Sequence, residues 1–102
     1  MTYFIETFDK PDHQARRQAL RPDHLTFLQE QAHRLLACGA KLQEDGSDAG
    51  GGIYIITADS LEDAQAFIQA DPFFKGELFA EVRIVRWRKA YVDGVCHLPE
   101  AK

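Results

Sequence analysis

Two residues in this chain have the types and surroundings for proton chemistry. His24 lies in Arg21–Leu25 (RPDHL), two positions after a proline, and Asp71 lies in ADPFF, directly before one. Pro22 suits the first position of a helix, where its missing N–H costs nothing. His24 then falls in a first helical turn, whose backbone amides oppose a positive charge. A neutral imidazole at pH 7 is a base able to take a proton. Asp71, between a helix end and a proline, would orient and charge-stabilise such an imidazole, or act as an acid or base itself. Each residue also has an ordinary role: a histidine packed at a helix end, and an aspartate binding turn amides. Arg16, Arg17 and Arg21 cluster just ahead of His24. With the helix amides they suit a carboxylate or phosphate; otherwise they form a solvated charged turn.

Other constellations are poorer in chemistry. His13, His33, His97, Cys38 and Cys96 show no metal-ligand spacing, so neither metal nor cofactor is expected. Gly46–Gly52 (GSDAGGG) has no phosphate-loop lysine and reads as a turn. Arg83, Arg86, Arg88 and Lys89 surround Trp87, a mixture compatible with single-stranded nucleic acid. The net charge of −4 and the absence of the aromatic RNA-binding motif argue against that partner. No apolar run approaches the ~20 residues that span a bilayer, and MTYFIETFDK lacks a signal-peptide pattern. Two cysteines are too few for a disulfide scaffold. The expectation is a cytoplasmic protein with reduced thiols and no membrane partner.

The elements that must position His24 and Asp71 follow from periodicity. Tyr3–Phe8 (YFIETF) reads as a strand. A short helical turn through Arg16–Leu20, capped by Asp12, precedes a second helix opening at Pro22. Leu25, Leu28, Ala32, Leu35 and Leu36 form its apolar stripe, and Gly39 fits its C-cap. Lys41–Glu44 is a short edge-like strand and Ile53–Thr57 (IYIIT) a strand covered on both faces. Ser60–Asp63 (SLED) starts a helix that Asp71-Pro72 ends. Leu78–Trp87 is the last strand. Residues 1–92 make a single domain, and a tail, residues 93–102, carries no clear pattern. The order β-α-β-β-α-β predicts a ferredoxin-like α+β fold, two helices on one face of a four-stranded antiparallel sheet. Apolar residues on both strand parities predict a covered second face, most simply by a second copy of the chain packed sheet to sheet.

Taken together, Arg17–Gln29 (RQALRPDHLTFLQ), Gly39, Ser60–Ala66 (SLEDAQA) and Asp71–Phe73 (DPF) resemble the YciI-like (YCII-related) family, from about Tyr3 to Lys89. The resemblance implies a dimeric α+β barrel. It implies an active-site pair at His24 and Asp71, with the family's arginine before the proline matching Arg21. One member type is associated with dehydrochlorination of chlorinated hydroxyquinols. The chain departs from the family after the second strand, where Gly46-Ser47 stands in place of Gly-Pro, a change that bears on the pocket and its substrate.

These residues point to a homodimeric enzyme of lyase or isomerase type working without cofactor. His24 would move the proton, Asp71 would orient it, and Arg21 and Arg17 would hold an anionic or aromatic small molecule. Phe27, Phe73 and Trp87 would line the pocket. The alternative is a non-catalytic ligand-binding or interaction domain of the same fold. One geometric problem stands out. His24 near one helix start and Asp71 at the other helix end are separated by a helix length, roughly 16 Å for about eleven residues. They meet only if the first helix is delayed, if the DPF turn folds back, or if a second copy supplies one member.

Overall fold

A computed structural model describes residues 1–99. β1 (Thr2–Asp9) leads into α1 (Gln14–Glu30), a 3₁₀ turn (Ala32–Arg34) and β2 (Leu35–Leu42). β3 (Asp48–Thr57), α2 (Leu61–Gln69), the short α3 (Pro72–Lys75) and β4 (Phe79–Trp87) follow. A small hairpin, β5 (Tyr91–Val92) with β6 (Val95–Cys96), comes last. The four main strands form one antiparallel sheet in the order β2-β3-β1-β4, the ferredoxin-like α+β topology of the dimeric α+β barrels.

β1 is central because its alternation serves both faces. Tyr3 and Ile5 point to the helices and are buried, with Tyr54 and Ile56 beside them on β3. Phe27 of α1 and Ala64, Phe67 and Ile68 of α2 close over that face. Burying a large side chain such as Ile5, Ile56 or Ile68 contributes about 1.5–3 kcal/mol. The serine start of α2 is as read: Ser60 Oγ accepts from the Asp63 N–H at 3.0 Å.

The first helix departs from expectation. Residues 14–30 form one continuous α-helix with Pro22 inside it, rather than a turn followed by a helix opening at Pro22. Ala15, Ala19, Leu20 and the arginines are strong helix formers that carry the helix through. Pro22 and Gln18, whose carbonyl loses its donor, are both exposed, so water can satisfy the carbonyl that the ring leaves free. His24 is therefore well inside a helix, and the first-turn amides do not bear on it.

The helix also ends earlier. The Gln31 N–H is shared between the carbonyls of Phe27 and Leu28 at 3.0 and 3.2 Å, and the chain turns away. Leu35, Leu36 and Gly39 belong to β2, not to a helix and its cap. Their spacing fits either element, and pairing with β3 decides. β3 likewise begins at Asp48, so Gly50–Gly52 are strand residues rather than a turn. Gly51 crosses so close to β1 that a Cβ there would lie 2.0 Å from the Thr7 carbonyl oxygen. Residues 100–102 of the expected tail lie outside the described residues; ahead of them, Val95–Cys96 pairs back on Tyr91–Val92, a hairpin not expected there.

The second sheet face carries Phe4, Phe8, Ile53, Ile55, Val85 and Trp87, placed together by the β1–β3 and β1–β4 registers. No element covers it among the described residues, and Val85 is 55% exposed.

Candidate functional site

α1 brings one face to the site. Arg17, Arg21, His24 and Leu28 recur at three- and four-residue steps and line the same pocket of about 240 Å³. α1 also presses on α3: a Cβ at Gly76 would sit 2.5 Å from Leu20 Cδ1. That contact draws the middle of α1 to the α2–α3 turn, where Asp71 caps α3 by accepting from the Phe73 N–H at 2.8 Å.

His24 and Asp71 meet within one chain. Nδ1 of His24 lies 2.9 Å from Oδ1 and 3.0 Å from Oδ2 of Asp71. Asp71 is fully buried and His24 nearly so, at 8%. Of the three routes considered above, the first helix is not delayed but begins early, at Gln14, which leaves His24 in mid-helix; that placement and the folded-back DPF turn bring the pair together without a second copy. Asp71 also accepts from the Tyr54 hydroxyl at 2.8 Å on Oδ2. A buried carboxylate needs such donors, since losing its water is costly. With Asp71 accepting, Nδ1 carries the hydrogen, and the opposite ring nitrogen, Nε2, is the atom with a free lone pair when the ring is neutral.

Phe73 stacks on the His24 ring, centroids 3.8 Å apart and planes at 11°. The Arg17 guanidinium sits 4.7 Å from the Phe73 centroid. Arg17 is already engaged: its Nε and Nη2 donate to Asp9 at 2.8 and 3.2 Å, and the Asp9 side chain is closed to solvent. Arg21 lines the pocket, is exposed, and makes no ion pair among the described residues.

Cys38 of β2 stands opposite Tyr54 of β3 and shares the pocket wall with it. The Cys38 residue is exposed, yet loss of water around the thiol, with Asp71 nearby, pushes its pKa up to about 11. The Tyr54 phenol is held well above its usual range, first by burial and then by the Asp71 charge. Both groups are protonated donors at neutral pH. Among the described residues no cluster suited to a metal ion occurs.

Of the residues expected to line the pocket, Phe73 does, and the two arginines expected to hold a substrate, Arg17 and Arg21, also border it. Phe27 and Trp87 are not. Phe27 turns into the core, 5.3 Å from the Phe67 ring. Trp87 pairs with Thr2, which puts it on the sheet face away from the helices. Tyr54, Cys38, Leu28 and Asp9 went unread as site residues. For Tyr54 the signal was present, a polar-tipped aromatic on the helix-facing parity of a strand. For Asp9 and Cys38 none was.

The YCII-related domain matches residues 1–88. The chain belongs to that family. The YciI proteins of Escherichia coli O6:H1 and Shigella flexneri are each 34% identical over 98 residues, covering 89% of this chain and all of theirs. Among solved structures, the 5-chloro-2-hydroxyhydroquinone dehydrochlorinase of Burkholderia phenoliruptrix, in complex with 2,5-dihydroxybenzoquinone, superposes with a TM-score of 0.79 at 28% identity. The match covers 86% of this chain and 94% of that one. PA3566 from Pseudomonas aeruginosa, with a TM-score of 0.51 at 14% identity over 87% of this chain and 93% of its own, is alike in fold alone. No helix among the described residues is long and apolar enough to cross a membrane.

Proposed function

We propose that this YCII-family chain is a homodimeric, cofactor-independent enzyme of lyase or isomerase type, with His24 as the proton-transfer residue. The observation that carries the reading is the buried carboxylate of Asp71 held on His24 Nδ1 at the wall of a pocket. Nε2 would take a proton from a hydroxyl or activated carbon of the substrate. The electron pair left behind would expel a leaving group such as chloride in an elimination, or accept the proton back at another carbon in an isomerisation. Asp71 would stabilise the imidazolium formed in between. Arg21 would meet the charge of an anionic substrate, while Arg17, neutralised by Asp9, would act as a wall over Phe73.

The pocket's size and its flat aromatic wall suit a small planar molecule, and the dehydrochlorinase neighbour is in complex with one, 2,5-dihydroxybenzoquinone. The apolar second sheet face supports the homodimer, since an uncovered face of this kind needs a partner.

The experiment is chloride release and spectral change on a panel of chlorinated hydroxyhydroquinones, with binding of 2,5-dihydroxybenzoquinone measured separately. His24→Gln should lower turnover by about 10²–10⁴-fold with binding retained. Binding by the native chain with no turnover of any panel member would favour the non-catalytic reading.

A further inference from the structure

The carboxylate of Asp71 has two oxygens and three side-chain or backbone donors, and their division is informative. Oδ1 accepts from the Phe73 N–H at 2.8 Å. Oδ2 accepts from the Tyr54 hydroxyl at 2.8 Å. Nδ1 of His24 lies nearly midway, 2.9 Å from one oxygen and 3.0 Å from the other. A carboxyl group turns about its last torsion in a broad well. The Phe73 amide fixes one oxygen at the α3 cap. Nothing on that element fixes the other. The only clamp on Oδ2 apart from His24, among the described residues, comes from across the sheet.

We propose that Tyr54 is a positioning residue that holds the plane of the Asp71 carboxylate, and through it fixes His24 with the hydrogen on Nδ1 and Nε2 toward the pocket. This rests on the His24–Asp71 reading and extends it to a third residue. Tyr54 is suited to the task. It sits on the middle of β3, is 3% exposed, and has its ring edge-on to His24 at 6.3 Å and to Phe67 at 6.1 Å. Its own rotation is therefore blocked. The phenol stays protonated, so it donates and does not compete with His24 for a hydrogen. The other ionisable groups facing this cluster are Cys38 from β2 and Arg17 from α1, and neither is hydrogen-bonded to Asp71. Without the phenol, Oδ2 would be a buried acceptor held only by His24, and the carboxylate could tilt away from Nδ1.

The test needs no substrate. Long-range nitrogen–proton NMR of the His24 ring reports which nitrogen carries the hydrogen. In the native chain at a pH where the ring is neutral, the Nδ1–H form should dominate. Tyr54→Phe keeps the aromatic ring and its shielding but removes the donor. The Nε2–H form should then become populated, and exchange of the Nδ1 hydrogen with water should quicken by up to about tenfold, the worth of one lost hydrogen bond. Unchanged His24 nitrogen signals in a folded Tyr54→Phe protein, even one with a lowered Tm, would overturn the proposal. If that variant does not fold, 3-fluorotyrosine incorporated in place of tyrosine supplies a near-isosteric phenol of altered acidity. The His24 ring nitrogens should still move, and silence there would be equally fatal. Asp71→Asn separates the layers. A His24 spectrum that changes with Asp71→Asn but not with Tyr54→Phe rejects the role of Tyr54 alone. A spectrum that ignores both rejects the His24–Asp71 pair and this inference with it.

Discussion

His24 lies flat against Phe73, two rings 3.8 Å apart whose residues belong to different helices. The stack fixes the imidazole plane while Asp71 fixes its rotation, so Phe73 is part of the site and not merely of its wall. Phe73→Leu keeps the apolar volume roughly but removes the stacked surface. It should cost about 1–3 kcal/mol of stability by urea unfolding. The His24 ring should gain mobility, read as broadened ring signals in the folded protein. A variant as stable as the parent, with sharp His24 signals, would show that the stack contributes little.

The Asp9 side chain is closed to solvent and, among the described residues, its partner cation is Arg17. Removing the cation alone strands the carboxylate. Arg17→Met should therefore destabilise by about 3–5 kcal/mol. The double variant Asp9→Asn/Arg17→Met, which removes both charges, should recover part of that loss. A double-mutant cycle by chemical denaturation measures the coupling. Additive costs would mean that the two residues do not act as a pair.

Cys38 sets a sign for alkaline pH. Its ordinary value of 9.0 is raised to about 11 in the folded chain. A raised value means that the folded state holds the thiol proton more tightly than the unfolded state. That contribution to stability is complete below about 9 and is lost as pH rises through about 11. Stability should fall across this window, and Cys38→Ser should flatten the fall. Iodoacetamide should modify Cys38 slowly at pH 8 and rapidly only near pH 11, which mass spectrometry of the labelled peptide can follow. Fast labelling of Cys38 at pH 8 would contradict the assignment.

Val85 is exposed on the second sheet face, beside Phe4 in the β1–β4 register. If two copies pack through that face, Val85→Glu buries a charge at the junction. Sedimentation velocity should then show a shift from dimer to monomer at micromolar concentration. A native chain that sediments as a monomer would remove the homodimer from the proposal.

Much of this architecture is legible in the residues, and the failures have physical causes. The alternation in Tyr3–Phe8 and the Ser60 start of α2 act locally, so spacing and cap chemistry reveal them. Pro22 misleads because one rule, favour at a helix start, competes with another, tolerance on a wet helix face. Leu35 and Leu36 mislead because two leucines in a row satisfy either periodicity, and only the pairing partner on β3 decides. His24 and Asp71 are visible as a pair through family resemblance, but their contact spans 47 positions, and no local pattern carries it. Tyr54, Cys38 and Asp9 enter the site through strand register and helix docking, which are properties of the assembled sheet. Phe27 and Trp87 were assigned to the pocket on residue type; which face they occupy depends on that same assembly.

Pro22 has a mechanical consequence. It offers no amide to the Gln18 carbonyl, so the ladder of α1 is interrupted between Arg21 and His24. The helix behaves as two stiff rods joined by a more compliant splice. The first rod carries the arginines that face the pocket and the second carries the imidazole. A molecule that touched both would act as a brace across the splice. Amides of residues 23–26 would then exchange more slowly when the pocket is filled, giving a readout of occupancy that needs no chemistry to occur.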